Sequence, residues 1–180
     1  GTALRLLYDF PRFSEDLDFS VTDKIGSTEF KNTINRIVKP DDRFSIRDFA
    51  SKYYTHLAEI RIKEPWQDIA FSLKIEISRR PVKEKEGQFA NVLVKSPATN
   101  IAVMARAFTL EQILTDKLRV IKERKMPRDI FDIWFICQKT RASFNLKGFG
   151  YPKGKIRQEL RKFLPRKFYP VIEELEKLNA

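Results

Sequence analysis

The sequence predicts an α+β fold, with a mixed-sheet lobe over residues 1–106 followed by a helical region over 107–180. Three observations carry this. Apolar and polar residues alternate with a period of two around 55–62 and 68–78, the pattern of half-buried strands. Beyond Thr109 the apolar residues recur every three or four positions, the pattern of amphipathic helices. The 15 phenylalanines and a hydrophobic content of 42% give a chain of 180 residues enough core to fold without staples.

The elements follow in order. Ala3–Tyr8 reads as a short helix and Asp16–Val21 as a strand. Ser27 or Thr28 caps a helix whose apolar stripe is Phe30, Ile34 and Ile37 and which ends before Pro40. Arg43–Phe49 and Thr55–Ile62 are strands. Asp68–Ser78 is the best patterned strand: Phe71, Leu73, Ile75 and Ile77 line one face, and Lys74, Glu76 and Ser78 the other. Lys83–Gln88 is a charged loop containing Gly87, and Phe89–Val94 and Ile101–Ala105 are short apolar segments that could each extend the sheet. Thr109 caps a helix bearing Leu110, Ile113, Leu114, Lys117, Leu118 and Ile121. Pro127 opens the next helix, which carries Ile130, Ile133, Trp134 and Ile136. Gly148–Gly154 is a turn-rich linker, and two helices close the chain near Lys155–Leu164 and Pro170–Leu178.

Charge is placed unevenly. The chain carries +11 in all, and residues 139–180 hold 11 Lys/Arg against 4 Asp/Glu. A clustered basic excess favours polyanionic partners. The one cysteine, Cys137, rules out an internal disulfide. No apolar run is long enough to span a bilayer, so no membrane partner is expected and the expected location is the cytoplasm. There is no Gly-x-x-x-x-Gly-Lys-Ser/Thr loop, which excludes a P-loop enzyme. His56 is the single histidine, so a histidine metal site or a Ser-His-Asp triad has no support. Cys137 sits on an apolar helix face and reads as core. Tyr53, Tyr54, Trp66, Phe149 and Tyr151 could stack on bases, although such aromatics more often serve packing.

The chemistry concentrates at the start of the chain. Gly1-Thr2-Ala3-Leu4-Arg5-Leu6 opens a helix behind a small-residue turn, and Arg12-Phe13-Ser14-Glu15-Asp16-Leu17-Asp18-Phe19 follows. Residues i and i+2 of a strand share a face about 7 Å apart, so Asp16 and Asp18 present two carboxylates while Leu17 and Phe19 turn to the core. Two such carboxylates repel unless a positive charge lies between them, and a hard, oxygen-seeking cation such as Mg²⁺ suits them. Glu76, on the polar face of the best strand, is either a third carboxylate of that site or an ion-pair partner of Lys74. Lys117 interrupts an apolar helical stripe, so it either snorkels or reaches into a pocket. Asp129 and Asp132 lie three apart near a helix N-terminus, where negative charge is favourable; the plainer alternative is a charge cap paired with Arg124 and Arg128.

These residues resemble the signature of the polymerase-β-like nucleotidyltransferases, and within them the AbiEii-type toxins. The resemblance rests on Gly1-Thr2-Ala3-Leu4-Arg5-Leu6, on Arg12 to Phe19, and on a second block from Glu111 to Asp132 containing Lys117 and Arg128-Asp129-Ile130-Phe131-Asp132. It implies a nucleotidyltransferase-like fold and a Mg²⁺-dependent enzyme that transfers NMP from an NTP to a hydroxyl. Asp16, Asp18 and Glu76 would be catalytic and bind a pair of Mg²⁺ ions. Gly1, Thr2, Lys117, Asp129 and Asp132 would bind nucleotide. It also implies an RNA acceptor, tRNA 3′ ends being reported for relatives, and an antitoxin partner. The family normally has a helical segment and a further glycine before this turn, so the chain is expected to be a fragment. The basic tail supplies a physical candidate for the acceptor site in Lys155, Arg157, Arg161, Lys162, Arg166 and Lys167. The rival readings are a metal-dependent nuclease, disfavoured because no lysine stands two residues after Glu76, and a non-catalytic RNA- or nucleotide-binding module of the same fold.

Overall fold

The computed structural model describes residues 1–83, 87–96, 99–145, 150–152 and 154–178. The chain forms two compact units, one of Gly1–Ala3 and Ser14–Glu84, the other of Leu4–Phe13 and Lys85–Ala180. Helix α1 covers Thr2–Tyr8.

The first unit is a four-stranded mixed sheet. Its strands are β1 (Asp16–Val21), β2 (Phe44–Ser51), β3 (Thr55–Ile62) and β4 (Phe71–Pro81), in the order β1-β4-β3-β2. β1 runs parallel to β4, and the β4–β3 and β3–β2 pairs are antiparallel. Helix α2 (Ser27–Val38) covers one face. Its Phe30, Ile34 and Val38 recur at helical spacing and pack on Ala58, Ile60, Ile62 and Ile75. Burying each such side chain contributes roughly 1.5–3 kcal/mol, so this packing holds the strands that carry the polar face opposite.

Several details differ from the sequence reading. The N-cap of α2 is Gly26 with no side-chain cap bond, not Ser27 or Thr28. Ile37 is 60% exposed, because the buried stripe continues through Val38. Strand β4 begins at Phe71 rather than Asp68 and runs on to Pro81; its β1 partner ends in a bulge between Phe19 and Val21. Phe19 is half exposed rather than core. β1 is an edge strand, and α2 leaves an apolar cavity of about 410 Å³ lined by Phe19, Ile37, Leu73 and Ile77 among others.

The second unit holds the hairpin β5 (Phe89–Ser96) and β6 (Thr99–Phe108), then helices α3 (Leu110–Glu123), α4 (Pro127–Thr140), α5 (Lys155–Phe163) and α6 (Tyr169–Leu178). The two apolar segments pair with each other as a separate antiparallel sheet, and neither extends the four-stranded one. Gly87 enters β5 at φ +72°, a left-handed turn that glycine makes without strain. Thr109 caps α3 as expected, its hydroxyl accepting from the Gln112 amide at 3.3 Å. Pro127 opens α4, where a missing N–H costs nothing. The core is Ile121, Ile130, Phe131, Ile133 and Cys137 packed on Ile156, Leu160, Ile172 and Leu175. Leu4 of α1, Phe10 and Ile136 form a smaller cluster. Among the described residues no helix is long and apolar enough to cross a membrane.

Candidate functional site

The parallel register of β1 and β4 sets Asp16 opposite Lys74 and Asp18 opposite Glu76. Paired residues share a face, so all four lie on the side of the sheet away from α2. Leu17 and Ile75, between them, turn toward the α2 core. Period-two alternation thus builds the site: the apolar residues anchor the strands, and the polar ones are left together.

The electrostatics of this face centre on Lys74. Its ammonium forms an ion pair with Glu76 at 2.8 Å. That hydrogen bond holds the Lys74 pKa above the ordinary lysine range against the opposing effect of desolvation, and the charges of Glu76, Asp16 and Asp18 add to it. Lys74 is therefore the counter-charge to three carboxylates. Drawn to Lys74, Glu76 adopts the ion pair that is its alternative role. Among the described residues, no three acidic, histidine or cysteine side chains converge as a metal-holding group. Asp16, Asp18 and Glu76 share one strand face and are the oxygen donors a hard divalent cation takes, but Glu76 is held by Lys74 and the three do not converge on a common point.

The Thr2 hydroxyl donates to the Asp16 backbone carbonyl, which fastens the start of α1 to the start of β1. With its proton committed there, Thr2 has none to give a phosphate, and the backbone N–H groups after Gly1 are the donors left for that role.

The second cluster is buried. Asp129 and Asp132, on one face of α4, are both fully buried. Lys117 of α3 reaches both, at 2.6 Å and 2.8 Å. Arg124 joins Asp129 at 3.2 Å. Arg12 grips Asp132 with two bonds, from Nε at 2.7 Å and from Nη2 at 2.9 Å. Burial alone would raise the Asp132 pKa, but Lys117 and Arg12 outweigh it and hold it below the usual carboxylate range. Arg12 is the residue that sequence reasoning missed. It stands in the Arg12 to Phe19 motif, but its partner is 120 positions away and no local pattern announces the pairing. Arg128, expected in the ion network, instead offers its backbone N–H to Glu159 at 3.4 Å.

The six tail cations are all exposed, on α5 and on the short 3₁₀ turn before α6. α5 buries Ile156 and Leu160, so Lys155, Arg157, Arg161 and Lys162 fall on its solvent side. Arg157 pairs with Glu176 at 2.8 Å, and Arg161 lies over Tyr169. Lys147 and Phe149 lie outside the described residues. His56 is a satisfied core residue: Nδ1 lies 2.9 Å from the Ser51 hydroxyl, Nε2 lies 3.2 Å from the Ile25 carbonyl, and the ring stacks on Phe30. Cys137 is buried, which pushes its thiol pKa up. Tyr151 is buried as well, and burial with the charges of Asp129 and Glu159 raises its phenol to about 12.

Two solved structures resemble this fold. JHP933 from Helicobacter pylori matches at 27% identity with a TM-score of 0.58, over 81% of this chain and 59% of that one. A candidate nucleotidyltransferase from H. pylori matches at 24% identity with a TM-score of 0.64, over 99% of this chain and 82% of that one; at that identity it speaks for the fold alone. The chain thus spans about three fifths of the length of JHP933. None of the curated protein sequences matches it. The family model described as nucleotidyl transferase AbiEii toxin, type IV toxin–antitoxin system, matches residues 1–167, which include the carboxylate strands and the buried ion network. The chain belongs to that AbiEii nucleotidyltransferase toxin family.

Proposed function

We propose that this chain transfers a nucleotide from an NTP to a hydroxyl of an RNA acceptor, as the toxin of a toxin–antitoxin pair. The observation that carries the reading is the β1–β4 register, in which Asp16, Asp18 and Glu76 share one face of adjacent parallel strands. These three residues would hold divalent cations, which supply activation of the attacking hydroxyl and neutralise the leaving pyrophosphate. Asp16 and Asp18 are fixed on their strand, with the Asp16 carbonyl tied to Thr2, so little reorganisation is needed to receive a cation. Lys74 balances the carboxylates and pairs with Glu76, which would have to leave that pair to serve as a ligand for a bound cation.

Gly1, Thr2 and Lys117 are assigned to the nucleotide. The turn supplies backbone N–H groups, and Lys117 a point charge suited to phosphate. Asp129 and Asp132, both buried and paired, act through Lys117: they hold its ammonium in one place and do not meet the nucleotide themselves. The tail cations Lys155, Arg157, Arg161, Lys162, Arg166 and Lys167 are assigned to the acceptor's phosphates, and an antitoxin is the expected protein partner.

Incubation with each radiolabelled NTP, Mg²⁺ and bulk RNA tests the proposal. Label appearing in RNA, and abolished by Asp18→Asn, is the expected result. Shortened RNA without label would indicate a nuclease, and unaltered RNA under every NTP would leave a binding module; either refutes transfer.

A further inference from the structure

We propose that the tip of the β2–β3 hairpin is a docking surface for single-stranded RNA, with Tyr53 stacking on a base and Lys52 and Arg80 meeting backbone phosphates. The inference takes from the proposed function only the choice of RNA as the strand.

Tyr53 is 80% exposed and Tyr54 50%, in the turn that joins the part-exposed edge strand β2 to the well-buried β3. Their rings meet edge to face at 4.4 Å. The Arg80 guanidinium lies over Tyr54, 3.4 Å from its centroid, so that ring already has a partner and Tyr53 presents the open one. The turn is rigid. The Lys52 amide donates to the Thr55 carbonyl at 2.8 Å, and the Arg79 amide to the Tyr54 carbonyl at 2.8 Å. The Arg79 side chain donates to the Lys52 carbonyl at 2.9 Å. Arg79 therefore braces the turn, and Lys52 and Arg80 stay at the surface.

A large aromatic ring held in solvent by a braced turn contributes little to the fold. It is also pre-organised, so stacking a base on it orders little that was free. The segments that form the tip carry one sign of charge: residues 49–58 and 77–83 contain Lys52, Arg79, Arg80 and Lys83 and no Asp or Glu. Exposed aromatics among cations are what a single strand recognises, bases on rings and phosphates on ammonium and guanidinium groups. A duplex keeps its bases stacked inside and would leave Tyr53 unused. An acidic peptide would satisfy the cations but has no flat group for the ring.

The test is the fluorescence anisotropy of labelled oligouridine with the full chain and no NTP. Tyr53→Ala is expected to weaken binding roughly tenfold, and Tyr53→Phe, which keeps the ring, to stay within about twofold. Lys52→Gln with Arg80→Gln should flatten the log–log salt slope by about 1.4, at about 0.7 per neutralised phosphate on a single strand. The melting curve of Tyr53→Ala should match the wild type, since the ring is exposed. Wild-type affinity in Tyr53→Ala, an equal loss in Tyr53→Phe, or displacement of oligouridine by oligoglutamate as readily as by unlabelled RNA would each overturn the proposal. A chain that passes this test and transfers no label refutes the transferase reading and leaves the docking surface standing.

Discussion

Lys117 carries a structural load besides the nucleotide role proposed for it. A lysine that did no more than meet phosphate could be cut back to alanine with little loss of stability. Lys117 differs, because it neutralises two fully buried carboxylates. Removing one member of a buried pair typically costs about 3–5 kcal/mol. Arg12 and Arg124 still serve the two aspartates, and Lys117 is itself partly solvated, so roughly 2 kcal/mol is expected here, read as a lower urea midpoint. Lys117→Arg should recover part of it. Asp132 gives the same network a pH dependence. Its folded pKa lies below the unfolded value of about 3.9. It therefore contributes stability that is present above that value and lost as pH falls through the folded pKa. Urea midpoints measured from pH 6 downward should fall more steeply in the wild type than in Asp132→Asn, which starts lower but has no proton to gain there.

At the scale of elements, the proposed chemistry rests on the β1–β4 pair. Asp18→Asn keeps the strand and removes one anionic ligand, so NMP transfer should drop on the order of a hundredfold or more, with the thermal melt unchanged. Lys74→Gln makes the opposite change: it frees Glu76 and removes the competing positive charge. Manganese binding, followed by the loss of the free-ion paramagnetic signal, should become tighter in this variant; unchanged or weaker binding would mean that Lys74 does not compete with a cation on this face. Much of this was legible because it is local. Alternation set β1 and β3 to the residue, and the two-residue spacing of Asp16 and Asp18 put them on one face. Thr109 and Pro127 marked helix starts by backbone chemistry that depends on nearby residues alone. What sequence could not give was pairing. Nothing in Phe89–Val94 says that it prefers Ile101–Ala105 to an edge of the larger sheet, since both offer the same ladder. Likewise Phe19 has the right parity for the core, and only the reach of α2 leaves it half exposed. Arg12 and Asp132 are far apart in sequence and meet only once the chain is folded.

For the molecule as a whole, the question is where a charge of +11 is left uncompensated. Asp41, Glu59, Glu64, Glu76, Asp129 and Asp132 are all paired with cations, so the uncompensated charge lies elsewhere, and the tail is its densest part. From Lys147 to Lys167 there are 8 Lys/Arg and one acid, Glu159. If this surface holds the acceptor, reversing Lys155, Arg161, Lys162, Arg166 and Lys167 to glutamate should weaken RNA binding and lower the log–log salt slope by roughly one for each phosphate no longer neutralised. Arg157→Glu belongs in a separate variant. Arg157 is tied to Glu176, and its reversal would set two acids where an ion pair of 2.8 Å now stands and disturb the α5–α6 packing as well. NTP binding should survive the five-fold reversal, because none of the five residues is on β1, on β4 or in the Lys117 network. The counterion origin of the effect makes it separable from damage to the fold: a destabilised protein binds more weakly at every salt concentration with its slope kept, whereas freeing phosphates from their cations changes the slope itself. An unchanged slope together with intact NTP binding would assign the tail's charge to solubility or to an acidic protein partner.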